Sequence, residues 1–263
     1  MKANAKHLIL DLLLAFDEAL SAKDAIAACQ LFGVSDNSVR VALARLSAEG
    51  LIEAAERATY RLSPTALELA GDVATWRTAE QRVRTWNGGY IAVFSAGLGR
   101  TDRTALRKRE RERALQLLGF RELYKGLHIR PDNIEDSILT VRKRLYTLGL
   151  EREAIVFIAT QFESHHESEI HALWDTAALN NSYMQLHQQM TEWLAHAETL
   201  EPEAVARESF ILGSKAIKQV VFDPLLPEPF VDVARRHAFV EMTRHFDQVG
   251  HKIWRDLVGT KKA

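Results

Sequence analysis

Five side chains suited to reading nucleic acid stand on one face of a short stretch. Asn37, Ser38, Arg40, Val41 and Arg45 recur at helical spacing opposite Val39, Leu43 and Leu46. An arginine fork matches the major-groove edge of guanine, and an asparagine amide matches adenine. Serine and arginine also hold phosphates. Val41 and Ala44 keep that face low enough to lie deep in a groove. Gly33 can take the left-handed conformation that stops a preceding helix. Ser35 is a ready N-cap for the next helix, and Gly50 ends it. The stretch GVSDNSVRVALARLSAEGLI, residues 33–52, therefore reads as the turn and recognition helix of a helix-turn-helix. Its expected DNA contacts are Ser35, Asn37, Ser38, Arg40, Val41 and Arg45. The bland alternative is an amphipathic helix with a solvated face. Start, stop, core spacing and exposed chemistry together favour the DNA-reading one.

Other clusters carry less. In His165-His-Glu-Ser-Glu-Ile-His171, a continuous helix would place Glu167, His171 and Asp175 on one face, where a cation could sit. The paired histidines of a zinc helix are missing, and no metal is expected. Phosphodiester cleavage needs carboxylates around a metal, but the apolar run Tyr90–Phe94 has no acid after it until Asp102. The mixed run Arg107–Arg113 fits a solvated helix crossed by ion pairs better than a DNA contact. Gly97-Leu-Gly99 lacks the rest of a nucleotide-binding loop. No catalytic set and no cofactor are expected.

With 263 residues, 47% apolar and 26% charged, the chain is sized for several small globular domains. Its net charge is −1. The basic excess lies in residues 87–162 and the acidic excess in 163–263, so DNA affinity must come from local placement of Arg40, Arg45, Arg57 and Arg61. One cysteine, Cys29, excludes an internal disulfide and a cysteine zinc site; its apolar setting marks it as a core residue. The apolar HLILDLLLAF near the start is too short to span a bilayer and is interrupted by Asp11. No membrane partner is expected, and the location is expected to be cytoplasmic.

The elements that position the face follow from periodicity. Helices are expected over 6–20 and from Ser21 through Phe32. Leu51-Ile52 and Thr59–Leu62 read as short strands around a turn, giving a winged helix whose Arg57 and Arg61 reach phosphates. Ser63-Pro64 opens a connecting helix to about Trp86. Next come a strand at Tyr90–Phe94, a helix at Thr101–Leu118, strands at Arg121–Lys125 and Leu127–Arg130, and a helix capped by Asp132 and Glu135. A strand at Ala154–Thr160 completes a β-α-β-β-α-β, ferredoxin-like order. Helices over 166–176, 180–199, 203–222 and 229–258 close the chain, with the proline-stiffened 223–229 before the last. In that helix Phe239, Met242, Phe246, Val249 and Ile253 form a stripe expected to seek a dimer partner. The fold class expected is multidomain α+β: winged helix-turn-helix with connecting helix, residues 1–86; ferredoxin-like domain, 87–162; all-α dimerisation or effector domain, 163–263.

The motifs at 33–53, WNGGYIAVF at 86–94, LGFRELYKGLHIRPDNI at 118–134 and FDPLLPEPFV at 222–231 resemble those of the PaaX family, repressors of phenylacetate degradation and their relatives. The resemblance spans nearly the whole chain. It implies a homodimeric repressor on a double-stranded, pseudo-palindromic operator, released by an acyl-CoA such as phenylacetyl-CoA. Such an effector needs cations beside an apolar pocket. Lys125, His128 and Arg130, around the hairpin at Gly126, are the candidates. Against that, Arg130 could simply pair with a carboxylate of the acidic helical domain. The rival functions are a winged-helix regulator that senses no ligand, or activates, and a nucleic-acid-processing enzyme built on the middle domain.

Overall fold

The structure, a computed structural model, describes residues 4–16, 19–55, 59–64, 66–67, 76–97 and 104–260. Among the described residues are nine α-helices and two antiparallel sheets, of three and four strands. The chain divides into two compact units. One comprises Met1–Trp76, Gln188–Val221 and Glu241–Ala263; the other comprises Arg77–His187 and Phe222–Val240.

The first unit begins with α1 (Ala5–Phe16), β1 (Leu20–Ser21), α2 (Ala22–Gln30), α3 (Asp36–Ala48), β2 (Ile52–Ala54) and β3 (Thr59–Leu62). The sheet order is β1-β3-β2. Leu20, expected inside the first helix, instead pairs with Tyr60 across β1 and β3. The Ser21 side chain then caps α2, accepting from the Asp24 amide at 3.0 Å. Ile9, Leu12, Cys29, Val39, Leu46 and Ile52 form a common core, each 2% exposed or less. Burial pushes the Cys29 thiol up to about 12, so it packs as a small apolar side chain. Two later helices complete this core. Ala206 and Phe210 come from α8 (Pro202–Val221), and Trp254 comes from α9 (Val233–Thr260).

The second unit carries β4 (Tyr90–Phe94), α4 (Thr104–Leu117), β5 (Arg121–Tyr124), β6 (Leu127–Pro131), α5 (Ile138–Thr147) and β7 (Ile155–Ala159). It continues with α6 (Ser164–His171) and the first part of α7 (Thr176–His196). The strands are ordered β5-β6-β4-β7, all antiparallel. Ile91, Val93 and Val156 face Leu115, Val141 and Leu145 of the helices in one core. Gly126 (φ 77°) turns β5 into β6 so close to Ala96 that a Cβ there would lie 2.7 Å from its Cα.

Three expectations are corrected here. The connecting helix does not run to Trp86: residues 68–75 lie outside the description, a 3-10 helix covers Trp76–Arg82, and the chain is then extended. Val83 bridges to Ile134, and the Arg84 amide donates to the Asn133 carbonyl at 2.8 Å, bonds a helix could not supply. The cap of α5 is Ser137, not Asp132 with Glu135. Those two carboxylates pair instead with Arg84 and Arg144. Finally, two of the five residues in the stripe on α9 are used within the chain. Phe239 stacks on Tyr183, and Phe246 meets Trp193 edge-on at 5.1 Å.

The proline-rich 222–231 stretch buries Asp223, Leu225, Leu226, Phe230 and Val231. Asp223 accepts from the Tyr183 hydroxyl at 2.6 Å and from the Leu225 amide at 2.8 Å. Burial outweighs those bonds and raises its carboxyl from 3.8 to about 6. The folded form therefore holds this proton at pH values where the unfolded chain has lost it. The stabilisation is complete below 3.8 and lost as pH rises through about 6. A carboxyl carbon resonance that vanishes in Asp223→Asn should titrate with a midpoint near 6. A midpoint at 3.8 contradicts this account.

Candidate nucleic-acid interface

A helix can enter a groove only if its other side is anchored, and α3 is. Val39, Ala42, Leu43 and Leu46 are buried. Ser35 is extended and caps the helix: its Oγ accepts from the Ser38 amide at 3.4 Å and lies 2.9 Å from the Ser38 Oγ. The turn from α2 is closed by the Val34 amide on the Cys29 carbonyl and the Gly33 amide on Gln30, with Gly33 at φ 73°. Across it, Gln30 Nε2 donates to Asp36 Oδ1 at 2.6 Å. At the far end the Leu51 amide donates to the Leu46 carbonyl around Gly50, and Lys6 pairs with Glu49. The helix is thus fixed at both ends and along one side.

The opposite side is exposed throughout: Ser35, Asn37, Ser38, Arg40, Val41, Ala44 and Arg45. Val41, 42% exposed, is the large apolar residue among them. Neither Arg40 nor Arg45 forms an ion pair with a described residue. Arginines that pair with no described carboxylate, on a rigid scaffold, are ready to meet base edges or phosphates.

The hairpin is committed differently. Arg61 lies directly across from Glu53 in the β2–β3 register. Its Nε and one terminal nitrogen both sit 2.7 Å from Glu53 Oε1. The guanidinium stays largely exposed, so a phosphate would compete with Glu53 for it. Arg57 lies outside the described residues.

The three proposed effector cations do not form one anion site. Lys125 is exposed, His128 is half-buried, and Arg130 is 1% exposed. Arg130 points to the helix-covered side of the sheet. It donates to the carbonyls of Leu118 and Pro131 and, at 2.9 Å, to Asn133 Oδ1. Neither a ligand rim nor an ion pair to a carboxylate describes it; its hydrogen bonds are to neutral groups. Burial lowers its pKa, with Arg82 adding like charge, and burial also lowers that of His128.

The metal alternative dissolves for a local reason. Helix α6 ends at His171, so Asp175 is not on its face; it caps α7, accepting from the Ala178 amide at 2.9 Å. Glu167 accepts from the Tyr90 hydroxyl at 2.6 Å, and His171 stacks on Phe230. Among the described residues, the ligand atoms that do gather are those of Glu163, His165 and His166, within 4.8 Å of one another. They sit at the start of α6, where the helix dipole disfavours a cation. In α4, Lys108 pairs with Glu112 at i,i+4, and Arg111 is buried against Glu151 at 2.5 Å.

Sequence reasoning missed one group that bears on the interface. Phe32 stands one residue before Gly33, at the turn leading into α3. Its ring packs on Phe210 at 5.4 Å and on Trp254 at 6.4 Å, and those two meet at 6.1 Å. The continuing apolar period of α9 was the available signal, but it could not name the partner.

Among the described residues, no helix is long and apolar enough to cross a membrane. No curated protein matches the chain. A solved structure of the uncharacterized protein Rv0674 from Mycobacterium tuberculosis is similar, with a TM-score of 0.62 and 20% identity over 97% of this chain and 99% of that one. That likeness is one of fold. The family model for PaaX-like protein matches residues 8–66, which contain the whole of α3 and its turn. The model for the PaaX-like protein C-terminal domain matches residues 174–256, which contain Phe210 and Trp254. With both ends of the chain matched, and the exposed basic helix inside the first match, this chain belongs to the PaaX-like family of transcriptional regulators.

Proposed function

We propose that the protein represses transcription of a catabolic operon by binding its operator DNA, and that an acyl-CoA such as phenylacetyl-CoA relieves the repression. The observation that carries the DNA-binding reading is the exposed face of α3, where Arg40 and Arg45 pair with no described carboxylate on a helix anchored at both ends. In this reading residues 5–62 act as a winged helix-turn-helix. The β5-β6-β4-β7 unit acts as a ferredoxin-like middle domain without catalysis. A homodimer places two copies of α3 on a pseudo-palindromic site. Supporting the first of these is the order of three helices and a hairpin; supporting the second is the antiparallel β-α-β-β-α-β sequence of elements. The effector and the homodimer rest on family membership.

The test has two steps. Genomic fragments retained by the pure protein are sequenced, and a recovered site is titrated by fluorescence anisotropy with and without phenylacetyl-CoA. Expected is a two-fold-related site whose complex dissociates when the thioester is added. Retention without sequence preference would overturn the operator reading; a complex indifferent to all acyl-CoA thioesters would leave a regulator that senses no such ligand.

A further inference from the structure

Helices α8 and α9 pack together inside the unit that carries α3, and they leave a crevice between them. Phe210, Ile217, Phe246 and Trp254 wall it, and Gly213 and Gly250 line it with no side chain at all. Its cavity measures about 40 Å³, so a ring enters it only as the two helices part. A Cβ on Gly250 would meet nothing within 4 Å; one on Gly213 would touch the Phe246 ring at 3.6 Å, an ordinary contact. Glycine inside a helix is less favourable than alanine. Neither glycine has a backbone angle that demands it. The charged corner of the crevice is Asp247, with His251 Nε2 at 3.4 Å from the carboxylate.

We propose that this crevice is a binding site for a small neutral aryl group, and that its occupation controls the DNA-reading helix. The inference rests on the reading of the protein as a ligand-relieved regulator and assigns the acyl end of the ligand a place. Flat aromatic walls favour a ring, through offset and edge-on contacts. Asp247 disfavours a free carboxylate, so the group is an aryl-acyl thioester or amide rather than an acid. The control is built into the walls. Phe210 and Trp254 line the crevice, and both also pack on Phe32 at the turn into α3. A ring wedged between α8 and α9 parts Phe210 from Trp254 and shifts the footing of that turn. The ligand weakens DNA binding to the extent that it prefers this shifted arrangement.

The experiment uses the full chain. Leucine at Gly250 fills the crevice and suits a helix. Gly250→Leu should therefore fold with an unchanged or higher Tm, bind operator within about twofold of wild type, and bind phenylacetyl-CoA at least tenfold more weakly by calorimetry. Its DNA complex should resist release. Ligand binding should change tryptophan fluorescence in the wild type and not in Trp254→Phe. Gly213→Ala, one methyl against Phe246, should shift affinity in the same direction by less, and serves if Gly250→Leu does not fold. Undiminished thioester binding and normal release in the filled variants overturn the site. Phenylacetamide, the aryl group without CoA, separates the two failures. If the wild type ignores every thioester but binds phenylacetamide, and Gly250→Leu does not, the crevice stands and the acyl-CoA reading falls. If neither probe binds, both fall.

Discussion

Replacing Arg40 and Arg45 together with alanine is expected to reduce operator affinity by roughly 30-fold to more than 10,000-fold, while leaving the fold intact. Each base-reading arginine contributes about 1–3 kcal/mol of discrimination, and the two stand at different positions along α3, so their effects should nearly add. Stability should move by no more than about 0.5 kcal/mol, because both side chains are exposed and neither is ion-paired to a described residue. Lysine at both positions separates the roles. It retains the charge that neutralises phosphate but lacks the planar fork. If the arginines read bases, the lysine variant should bind all DNA with similar salt dependence and lose preference for the operator. If they hold only phosphates, it should retain most of that preference, and alanine should instead flatten the slope of affinity against salt. Anisotropy titrations on operator and scrambled DNA at two salt concentrations distinguish these. Full affinity in the alanine variant would remove α3 from the interface.

What was legible in the sequence follows from the range over which each signal acts. The start, stop and buried stripe of α3 are local: Ser35, Gly33, Gly50 and the Val39-Leu43-Leu46 spacing lie within twenty residues, and each does in the structure what its chemistry suggests. The strands at Tyr90–Phe94 and Leu127–Arg130 were readable for the same reason, the second running one residue further to Pro131. Failures came where a local signal met a distant competitor. Asp132 and Glu135 look like helix-capping residues, but Arg84 and Arg144 claim them. The stripe on α9 looks like an unpaired surface, but Tyr183 and Trp193 claim two of its residues, Phe239 and Phe246. Arg130 alternates with apolar neighbours as a surface residue would. Yet the pleat turns it toward the helices, and period-two patterning cannot tell which face is covered. The crevice between α8 and α9 left its own trace, glycines in otherwise strong helical patterns at Gly213 and Gly250. That trace has meaning only once the helices are known to be neighbours.

The most distant competitor sets up the largest expected loss of stability. Arg236 is fully buried and Glu80 half-buried beside it, although they lie 156 positions apart. Arg236 Nε donates to one Glu80 oxygen at 2.9 Å and a terminal nitrogen donates to the other at 3.3 Å, while its second terminal nitrogen donates to the Leu226 carbonyl. His237 Nε2 adds a contact to Glu80 at 3.1 Å. Removing one member of such a pair strands the other charge away from water, at a cost of about 3–5 kcal/mol. For a protein of this size that is a fall in Tm of roughly 6–20 °C. Arg236→Met and Glu80→Met should each show it by calorimetry. The double substitution should recover most of the loss, because no charge is then left buried and the methionines fill similar volume. Arg236→Lys should fall between, keeping the charge and losing the two-pronged contact. The 3-10 turn that carries Glu80, the Leu226 carbonyl of the proline-rich stretch and the first turn of α9 all meet at this one guanidinium. Loss of the pair should therefore loosen all three together, seen as faster amide exchange at each in Arg236→Met. Exchange that quickens only around residue 236, with Tm unchanged, would show that the pair orders nothing beyond itself.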